Sequence, residues 1–259
     1  MQNDNQNIVE EIIRFLKTEE EVFGPFSVSP TEKPPSEQKI EVTETSQDSK
    51  ETESTFEEPQ KKQLSAAEKL LACSTLDELK ALCSEAEELH TDLENTNLVF
   101  GVGNPQAVLM LIGEAPGEQE DQQGEPFVGA AGQLLNKILA AIEFKREDVY
   151  IANILKHRPP GNRNPKPEEI ARSLPYLKKQ IELINPKIIL CLGKVSGQTM
   201  LNSDDTLGNM RGSFHTFGSR ELYVTYHPAA LLRNSQWKRP TWEDVQNVRK
   251  RYDELNGKP

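Results

Sequence analysis

The sequence predicts an α/β protein of three layers, in which helices cover both faces of a central four-stranded parallel sheet. From about residue 98, short apolar runs rich in β-branched residues alternate with longer helical patterns. This alternation is typical of a parallel sheet that is buried on both faces. The chain has 259 residues, which is enough for one such domain and additional segments.

Four apolar runs are the predicted strands, and helical patterns lie between and after them. The strands are residues 107–112, 149–154, 187–192 and 221–226, and the helices lie near residues 131–142, 168–184, 194–202 and 241–255. Sites in open parallel sheets lie at the carboxyl ends of the strands. The residues that directly follow each strand are therefore the candidates for a functional site.

The N-terminal part of the chain has a different composition. Residues 1–24 contain a short amphipathic pattern, which predicts a helix that either docks on its own domain or binds a partner protein. Residues 25–63 are rich in Ser, Thr, Glu, Pro, Gln and Lys, which predicts a disordered acidic linker. Residues 64–259 are the predicted folded domain, and the motifs that carry chemistry lie within residues 96–255.

Charge separates the same two parts of the chain. Residues 1–94 contain 9 Lys and Arg against 23 Asp and Glu, whereas residues 95–259 contain 21 against 18. The acidic balance of the whole chain therefore does not exclude a polyanionic partner for the C-terminal part.

Three cysteines without a CxxC pair, and no signal-peptide pattern, predict a reduced cytoplasmic protein. No apolar run is long enough for a membrane span, and we expect a monomer.

The loop after the first strand is rich in glycine and acidic residues. It reads GEAPGEQED at residues 113–121 and PFVG at residues 126–129. It matches neither the GxxxxGK[ST] pattern of a Walker A loop nor the GxGxxG pattern of a dinucleotide-binding loop. Binding of a nucleotide phosphate is therefore disfavoured. The third strand ends in Leu192-Gly193-Lys194, which we assign mainly to structure.

The loops after the second and fourth strands carry other polar groups. The second strand ends at Asn153, whose amide offers both an acceptor and donors to the polar edge of a base, and a basic proline-rich loop follows. The fourth strand is followed by HPAALLRN at residues 227–234. A histidine at a strand end is more often structural, but convergence with Asn153 and the acidic loop favours a functional role for His227. The two leucines of this motif suit a wedge, and Arg233 suits a phosphate.

Together these motifs resemble those of family 4 uracil-DNA glycosylases. The resemblance rests on GEAPGEQED (113–121), PFVG (126–129), ANILKHRPPGNRNPKPEE (152–169) and HPAALLRN (227–234), which occur in the order that the family shows. It implies a central four-stranded parallel sheet between helices. It also implies an enzyme of base excision repair that removes uracil from DNA and leaves an abasic site.

The resemblance assigns a uracil pocket to four residues of this chain. Phe127 would stack on a uracil flipped out of the duplex, and Asn153 would hydrogen-bond to its polar edge. Ala115 stands where the best-known uracil glycosylases carry an aspartate. His227 would donate a hydrogen bond to uracil O2 as negative charge develops on the ring.

The acidic loop would then face a sugar that gains positive charge. Glu114 is the first candidate for positioning water, and Glu120 is the second and a candidate guard against the methyl group of thymine. Glu118 and Asp121 are better explained as acids at the start of a helix. The resemblance implies DNA contacts by Arg158, Asn162, Arg163, Leu231, Leu232 and Arg233.

Family 4 members usually hold a four-iron–four-sulfur cluster on four cysteines. The corresponding positions here are Ala86, Leu89, His157 and Ser173, so all four thiolates are missing. Because such a cluster ordinarily needs four ligands, we predict no cluster, no other metal and no cofactor. Ala86 and Leu89 are expected to pack as an apolar patch instead.

Two alternatives stay open from the sequence. One is a catalytically weak DNA-binding protein that acts as a repair scaffold through its N-terminal helix. The other is a glycosylase for another damaged base, such as hypoxanthine or ethenocytosine. The set Glu114, Phe127, Asn153 and His227 favours the enzyme, because a pure DNA-binding protein has no evident use for a base pocket.

Overall fold

The computed structural model describes residues 65–256, so the helix predicted at residues 1–24 and the linker predicted at residues 25–63 lie outside the described residues. The described chain contains a six-stranded sheet with the order β1-β3-β2-β4-β6-β5. Its four central strands are parallel, as predicted. They are β2 (Leu109–Gly113), β3 (Tyr150–Asn153), β4 (Ile188–Leu192) and β6 (Arg220–Thr225).

Two short antiparallel strands extend the sheet at its edges. β1 (Val102–Gly103) pairs with β3, and β5 (His215–Phe217) pairs with β6. These strands were not predicted, because two or three residues are too few to show a strand pattern in the sequence. At Gly103, φ is +126° and a Cβ would lie 2.0 Å from the carbonyl oxygen of Val149. Only glycine therefore allows β1 to approach β3 so closely.

Helices cover both faces of the sheet. They are α1 (Ala66–Ala72), α2 (Leu76–Glu85), α3 (Glu118–Gln123), α4 (Ala130–Ala141), α5 (Pro167–Ile184), α6 (Lys194–Leu201), α7 (Leu207–Met210), α8 (Pro228–Arg233) and α9 (Lys238–Asn256). The helices predicted near residues 131–142, 168–184, 194–202 and 241–255 are confirmed as α4, α5, α6 and α9. Within residues 65–256, none of the helices has the length and apolar character that crossing a bilayer requires.

Alternate residues of the central strands pack into different layers. In β2, Leu109 and Leu111 join the cluster that contains α4 and α9, whereas Met110 and Ile112 join the cluster that contains α5 and α6. All four side chains are completely buried. Burying an aliphatic side chain of this size contributes about 1.5–3 kcal/mol. This burial on both faces explains why the strands are continuously apolar in the sequence.

Helices α1 and α2 pack beside the main sheet as a third apolar cluster. Thr75 caps α2, because its Oγ1 accepts a hydrogen bond from the Glu78 backbone N–H at 3.2 Å. The cluster includes Cys73, Leu79, Cys83, Ala86, Leu89, Phe100 and Tyr176. The patch predicted for Ala86 and Leu89 is therefore present, and it joins the segment before β1 to α5.

Candidate active site

Loops at the carboxyl edge of the sheet enclose a cavity of about 380 Å³. The size is in the range of sites for small ligands. The acidic loop after β2, the end of β3 with its following loop, and the turn after β6 all contribute to its wall. The predicted residues that line the cavity are Glu114, Ala115, Glu120, Phe127, Asn153, Asn162, Arg163, His227 and Arg233.

Asn153 is the last residue of β3, and its side chain is almost completely buried. Its Oδ1 atom has no hydrogen-bond partner within the protein. A buried polar atom without a partner costs free energy, which a ligand with a suitable donor can recover. Gly113 lies opposite on β2, and a Cβ there would lie 2.2 Å from Asn153 Oδ1 and 2.6 Å from Phe127 Cζ. Glycine at this position therefore leaves room for the amide and the ring.

Phe127 forms an aromatic wall of the cavity. Its ring centroid lies 5.5 Å from that of His227, and the two ring planes are inclined by 31°. Its backbone φ is +54°, in the left-handed region. This conformation costs on the order of 1–3 kcal/mol for a residue with a Cβ and is found where the surroundings impose it. The side chain can present a flat face to a planar ring in the cavity.

His227 lies two residues after the end of β6 and caps the N-terminus of α8. Its Nδ1 accepts a hydrogen bond from the Ala229 backbone N–H at 3.1 Å. In the neutral imidazole the proton is therefore on Nε2, which is a hydrogen-bond donor. Burial, assisted by the nearby Arg233, lowers the pKa of His227 to about 4. The side chain is consequently neutral at pH 7 and still donates a hydrogen bond.

The two candidate glutamates have different surroundings. Glu114 lines the cavity, and burial raises the pKa of its carboxyl group. Glu120 also lines the cavity, but its Oε1 accepts hydrogen bonds from the backbone N–H groups of Val128 and Gly129, both at 2.9 Å. Glu114 is therefore the better placed carboxylate for a water molecule or a positive charge, whereas Glu120 is engaged by the backbone.

The leucines of the HPAALLRN motif lie on different faces of α8, one buried and one exposed. Leu231 is 2% exposed and belongs to the main apolar cluster, whereas Leu232 is 40% exposed. The helix directs the Leu231 side chain into the core, which favours Leu232 over Leu231 as the candidate for a DNA contact. Leu232 and the exposed Arg233 remain available at the surface.

Part of the positive charge in the loop after β3 is paired with acidic side chains of the protein itself. Arg163 donates to both carboxylate oxygens of Glu169, at 2.6 and 2.8 Å, and to Asp92 at 3.2 Å. These contacts anchor the loop to the start of α5. Arg158 donates from Nε to Asn162 Oδ1 at 2.7 Å. Arg163 thus has a structural role that its sequence context did not predict.

Two cations behind the cavity were missed by sequence reasoning. Lys156 is completely buried, and its Nζ donates to the carbonyl oxygens of Asn153 at 3.0 Å and Phe100 at 3.3 Å and to Gln180 Oε1 at 2.8 Å. Burial lowers its pKa to about 8. The other cation is Arg146, which hydrogen-bonds to the turn that carries Phe127. In the sequence both residues resemble ordinary surface charges, and no local pattern separates them from such charges.

The four positions that the resemblance assigns to cluster ligands have side chains that do not suit a cluster. Ala86 and Leu89 have no ligand atom and are buried in the apolar cluster. The Ser173 hydroxyl donates a hydrogen bond of 2.6 Å to the carbonyl oxygen of Ile154. No group of three or more His, Cys, Asp or Glu residues within residues 65–256 is arranged to hold a metal ion.

His157, the third of these positions, also has protein partners. Its ring stacks on that of His90, with centroids 4.1 Å apart. Its Nδ1 lies 3.0 Å from Thr96 Oγ1. The segment before β1 is therefore joined to the loop after β3 by ring stacking and hydrogen bonding.

The fold and this site define a base-binding enzyme of the α/β class, and the chain belongs to the uracil-DNA glycosylase superfamily, whose family pattern matches residues 100–247. A type-4 uracil-DNA glycosylase of Archaeoglobus fulgidus is 44% identical over 171 residues, which cover 63% of this chain and 84% of that protein. A type-4 uracil-DNA glycosylase of Thermotoga maritima is 39% identical over 183 residues, which cover 68% of this chain and 95% of that protein. The resemblance inferred from the four motifs is confirmed.

Proposed function

We propose that this protein is a DNA repair glycosylase that hydrolyses the N-glycosidic bond of deoxyuridine and leaves an abasic site in DNA. The family and the relatives support the activity. The observation that carries the proposal within the structure is the unpartnered amide oxygen of Asn153, buried beside the Phe127 ring in a cavity that suits a small planar molecule.

Base recognition would combine stacking with hydrogen bonding. Phe127 offers its ring face to the flipped base, and Asn153 offers an acceptor next to donors. The polar edge of uracil carries a carbonyl oxygen beside an N–H, which this amide can pair with directly. Cytosine carries an amino group beside an unprotonated ring nitrogen, so the same amide orientation would leave its groups unpaired. This mismatch is the basis of the expected selectivity.

Bond cleavage would use two groups on opposite sides of the scissile bond. Negative charge develops on the uracil, and the neutral His227 donates its Nε2 hydrogen bond to O2. A preorganised donor of this kind contributes about 3 kcal/mol in the transition state. Positive charge develops on the sugar, and the carboxylate of Glu114 stabilises it and orients the attacking water. Glu120 is the second candidate for this role.

The DNA surface would lie around the mouth of the cavity. Moving a base out of the stack costs a few kcal/mol. The exposed Leu232 suits the wedge that fills the vacated position, and Arg233 suits an adjacent phosphate. Arg158 and Asn162 on the loop after β3 are the other candidates for phosphate contacts.

We further propose that this chain functions without an iron–sulfur cluster. The support is the chemistry at the four cluster positions, where apolar side chains, a hydroxyl and a stacked imidazole replace thiolates. The test is an iron assay and an absorption spectrum of protein produced in iron-rich medium. Stoichiometric iron together with a broad absorption band in the visible range would contradict this proposal.

The main experiment measures strand cleavage of uracil-containing oligonucleotides after alkali treatment of abasic sites. Wild type is expected to release uracil, and Asn153→Ala and His227→Ala are each expected to be at least about a hundredfold slower. Asn209→Ala, which changes an exposed asparagine on α7, is the matched control. Oligonucleotides that contain thymine, hypoxanthine or ethenocytosine test the base preference.

The outcomes separate the alternatives. Binding to DNA without release of any base would favour a scaffold and contradict the enzyme. Faster release of hypoxanthine or ethenocytosine than of uracil would favour the other base preference.

We also propose a monomer in a reducing, cytoplasmic compartment and a protein partner for residues 1–24. Light scattering and affinity capture with and without this segment test the monomer and the partner.

A further inference from the structure

The turn that carries Phe127 is held from two sides. Phe127 adopts a φ of +54°, which residues with a Cβ rarely adopt. A turn of this kind persists only where neighbouring groups determine its geometry. The described structure contains two such groups of opposite charge, one on the carbonyl side of the turn and one on the amide side.

Arg146 holds the carbonyl side. Its guanidinium donates hydrogen bonds to the consecutive carbonyl oxygens of Pro126 and Phe127, the latter at 3.1 Å, and to Asn136 Oδ1 at 3.2 Å. A planar guanidinium presents several donors in a fixed geometry, so it can orient both peptide groups together. Arg146 is half-buried and does not line the cavity. Its influence on a bound base must therefore pass through the turn.

Glu120 holds the amide side. Its Oε1 accepts the backbone N–H groups of the two residues after Phe127, at 2.9 Å each. Helix α4 packs directly beneath, because a Cβ at Gly132 would lie 1.8 Å from the Phe127 carbonyl oxygen. The four residues 126–129 are thus fixed by a cation on their carbonyl groups, an anion on their amide groups and a glycine that permits close packing.

We propose that Arg146 and Glu120 are positioning residues that fix the ring of Phe127 for stacking on the base in the cavity. This inference rests on the proposed function, since it concerns the same site. Loss of either group allows Phe127 to relax toward an ordinary backbone conformation, which displaces its ring. For Glu120, the position of an acceptor oxygen then matters more than its negative charge.

The first test compares Arg146→Met with Lys145→Met. Lys145 is the adjacent cation, and its side chain is 78% exposed. Arg146→Met is expected to lower the single-turnover rate of uracil release at least about tenfold, because the stacking geometry is lost. Its affinity for uracil-free duplex is expected to stay within about twofold, because phosphate contacts lie elsewhere. A wild-type release rate in Arg146→Met would overturn the inference.

The second test asks whether Arg146 acts through Phe127. If it does, the double variant Phe127→Ala with Arg146→Met is no slower than Phe127→Ala alone. Losses that multiply in the double variant would show a separate role and contradict the proposal. If Arg146→Met does not fold, Arg146→Lys, which cannot reproduce the paired donors, is compared with Lys145→Met in the same way.

The third test concerns Glu120. Glutamine keeps an acceptor oxygen for the two amides but has no charge, whereas alanine has neither. Glu120→Gln is expected to release uracil at least about tenfold faster than Glu120→Ala. Equal losses in both variants would assign Glu120 a charge-dependent role and refute its positioning role. If wild type releases no uracil, the proposed function fails; if wild type is active and Arg146→Met matches Lys145→Met, only this inference fails.

Discussion

Glu114 and Glu120 line the same cavity, but their carboxylates are held differently. The backbone N–H groups that bond to Glu120 fix the position of its carboxylate, whereas burial raises the pKa of Glu114. His227 is neutral above its pKa of about 4. The site therefore contains a neutral donor for the base and a carboxylate that titrates above the ordinary glutamate value.

This difference predicts the pH dependence of the reaction. The active form of Glu114 is ionised, so the single-turnover rate should rise with pH through a pKa above the ordinary value of 4.5 and then remain level. Glu114→Gln should be about a hundredfold slower and should lose this dependence. Glu118→Gln, an exposed acid at the start of α3, is the control. If the rate of Glu114→Gln still fell at low pH as in wild type, another group would be responsible for the pH dependence.

The residues that could be predicted from the sequence are those at the end of a strand or just after it. Asn153 and His227 fall at the ends of β3 and β6, so the strand pattern alone placed them at one edge of the sheet. Leu231 could not be separated from Leu232, because α8 has only six residues and its inner face depends on tertiary packing. Arg146 and Lys156 were missed because most of their acceptors are backbone carbonyls, which no sequence pattern marks.

At the scale of elements, α1 and α2 form an apolar cluster that includes Tyr176 of α5. Leu79 and Cys83 are completely buried there, beside Ala86 and Leu89. The two helices and the turn after α2 thus contact α5 through apolar side chains. Stability at this junction should therefore depend on side-chain volume.

Substitution of a single leucine tests this dependence. Leu79→Ala should lower the free energy of unfolding by about 2–5 kcal/mol, because it leaves a cavity in a closed cluster. Leu71→Ala on α1 is the matched control, since Leu71 is 76% exposed, and its effect should stay within about 0.5 kcal/mol. Urea denaturation with and without an iron chelator measures both variants. If the chelator lowered the free energy of unfolding of wild type, the expectation that this junction contains no metal would be contradicted.

Two residues of α8 are expected to act on DNA in different ways, one through affinity and the other through the rate of uracil release. Arg233→Ala should reduce the slope of log affinity against log salt by about one, because one phosphate contact is lost. Leu232→Ala should leave this slope unchanged but slow uracil release from duplex more than from single strands, since only a duplex needs a wedge. Binding titrations at several salt concentrations and release assays on both substrates measure these effects. Equal slowing on both substrates would exclude the wedge.

At the scale of the whole molecule, charge is distributed unevenly along the chain. The excess of acid lies in residues 1–94, whereas residues 95–259, which contain the sheet and the cavity, have a small excess of Lys and Arg. Negative charge that is covalently attached to a DNA-binding domain lowers its affinity for DNA through electrostatic repulsion. The acidic segment should therefore influence the affinity for DNA more than the rate of uracil release.

Removal of residues 1–63 tests this expectation and leaves Ser65, the N-cap of α1, in place. The shortened protein should bind DNA more tightly at low salt, and the difference from the full chain should shrink as salt screens the charges. The rate of uracil release at saturating protein should be the same for both. A lower rate in the shortened protein would instead assign the segment a part in the reaction.

The two edge strands have a consequence for handling the protein at high concentration. β1 has two residues and β5 has three, so each border of the sheet offers very few unpaired backbone groups. A long open border is a template on which a second chain can add a strand and begin to aggregate. Because both borders are so short, this route to self-association is largely blocked by the architecture itself.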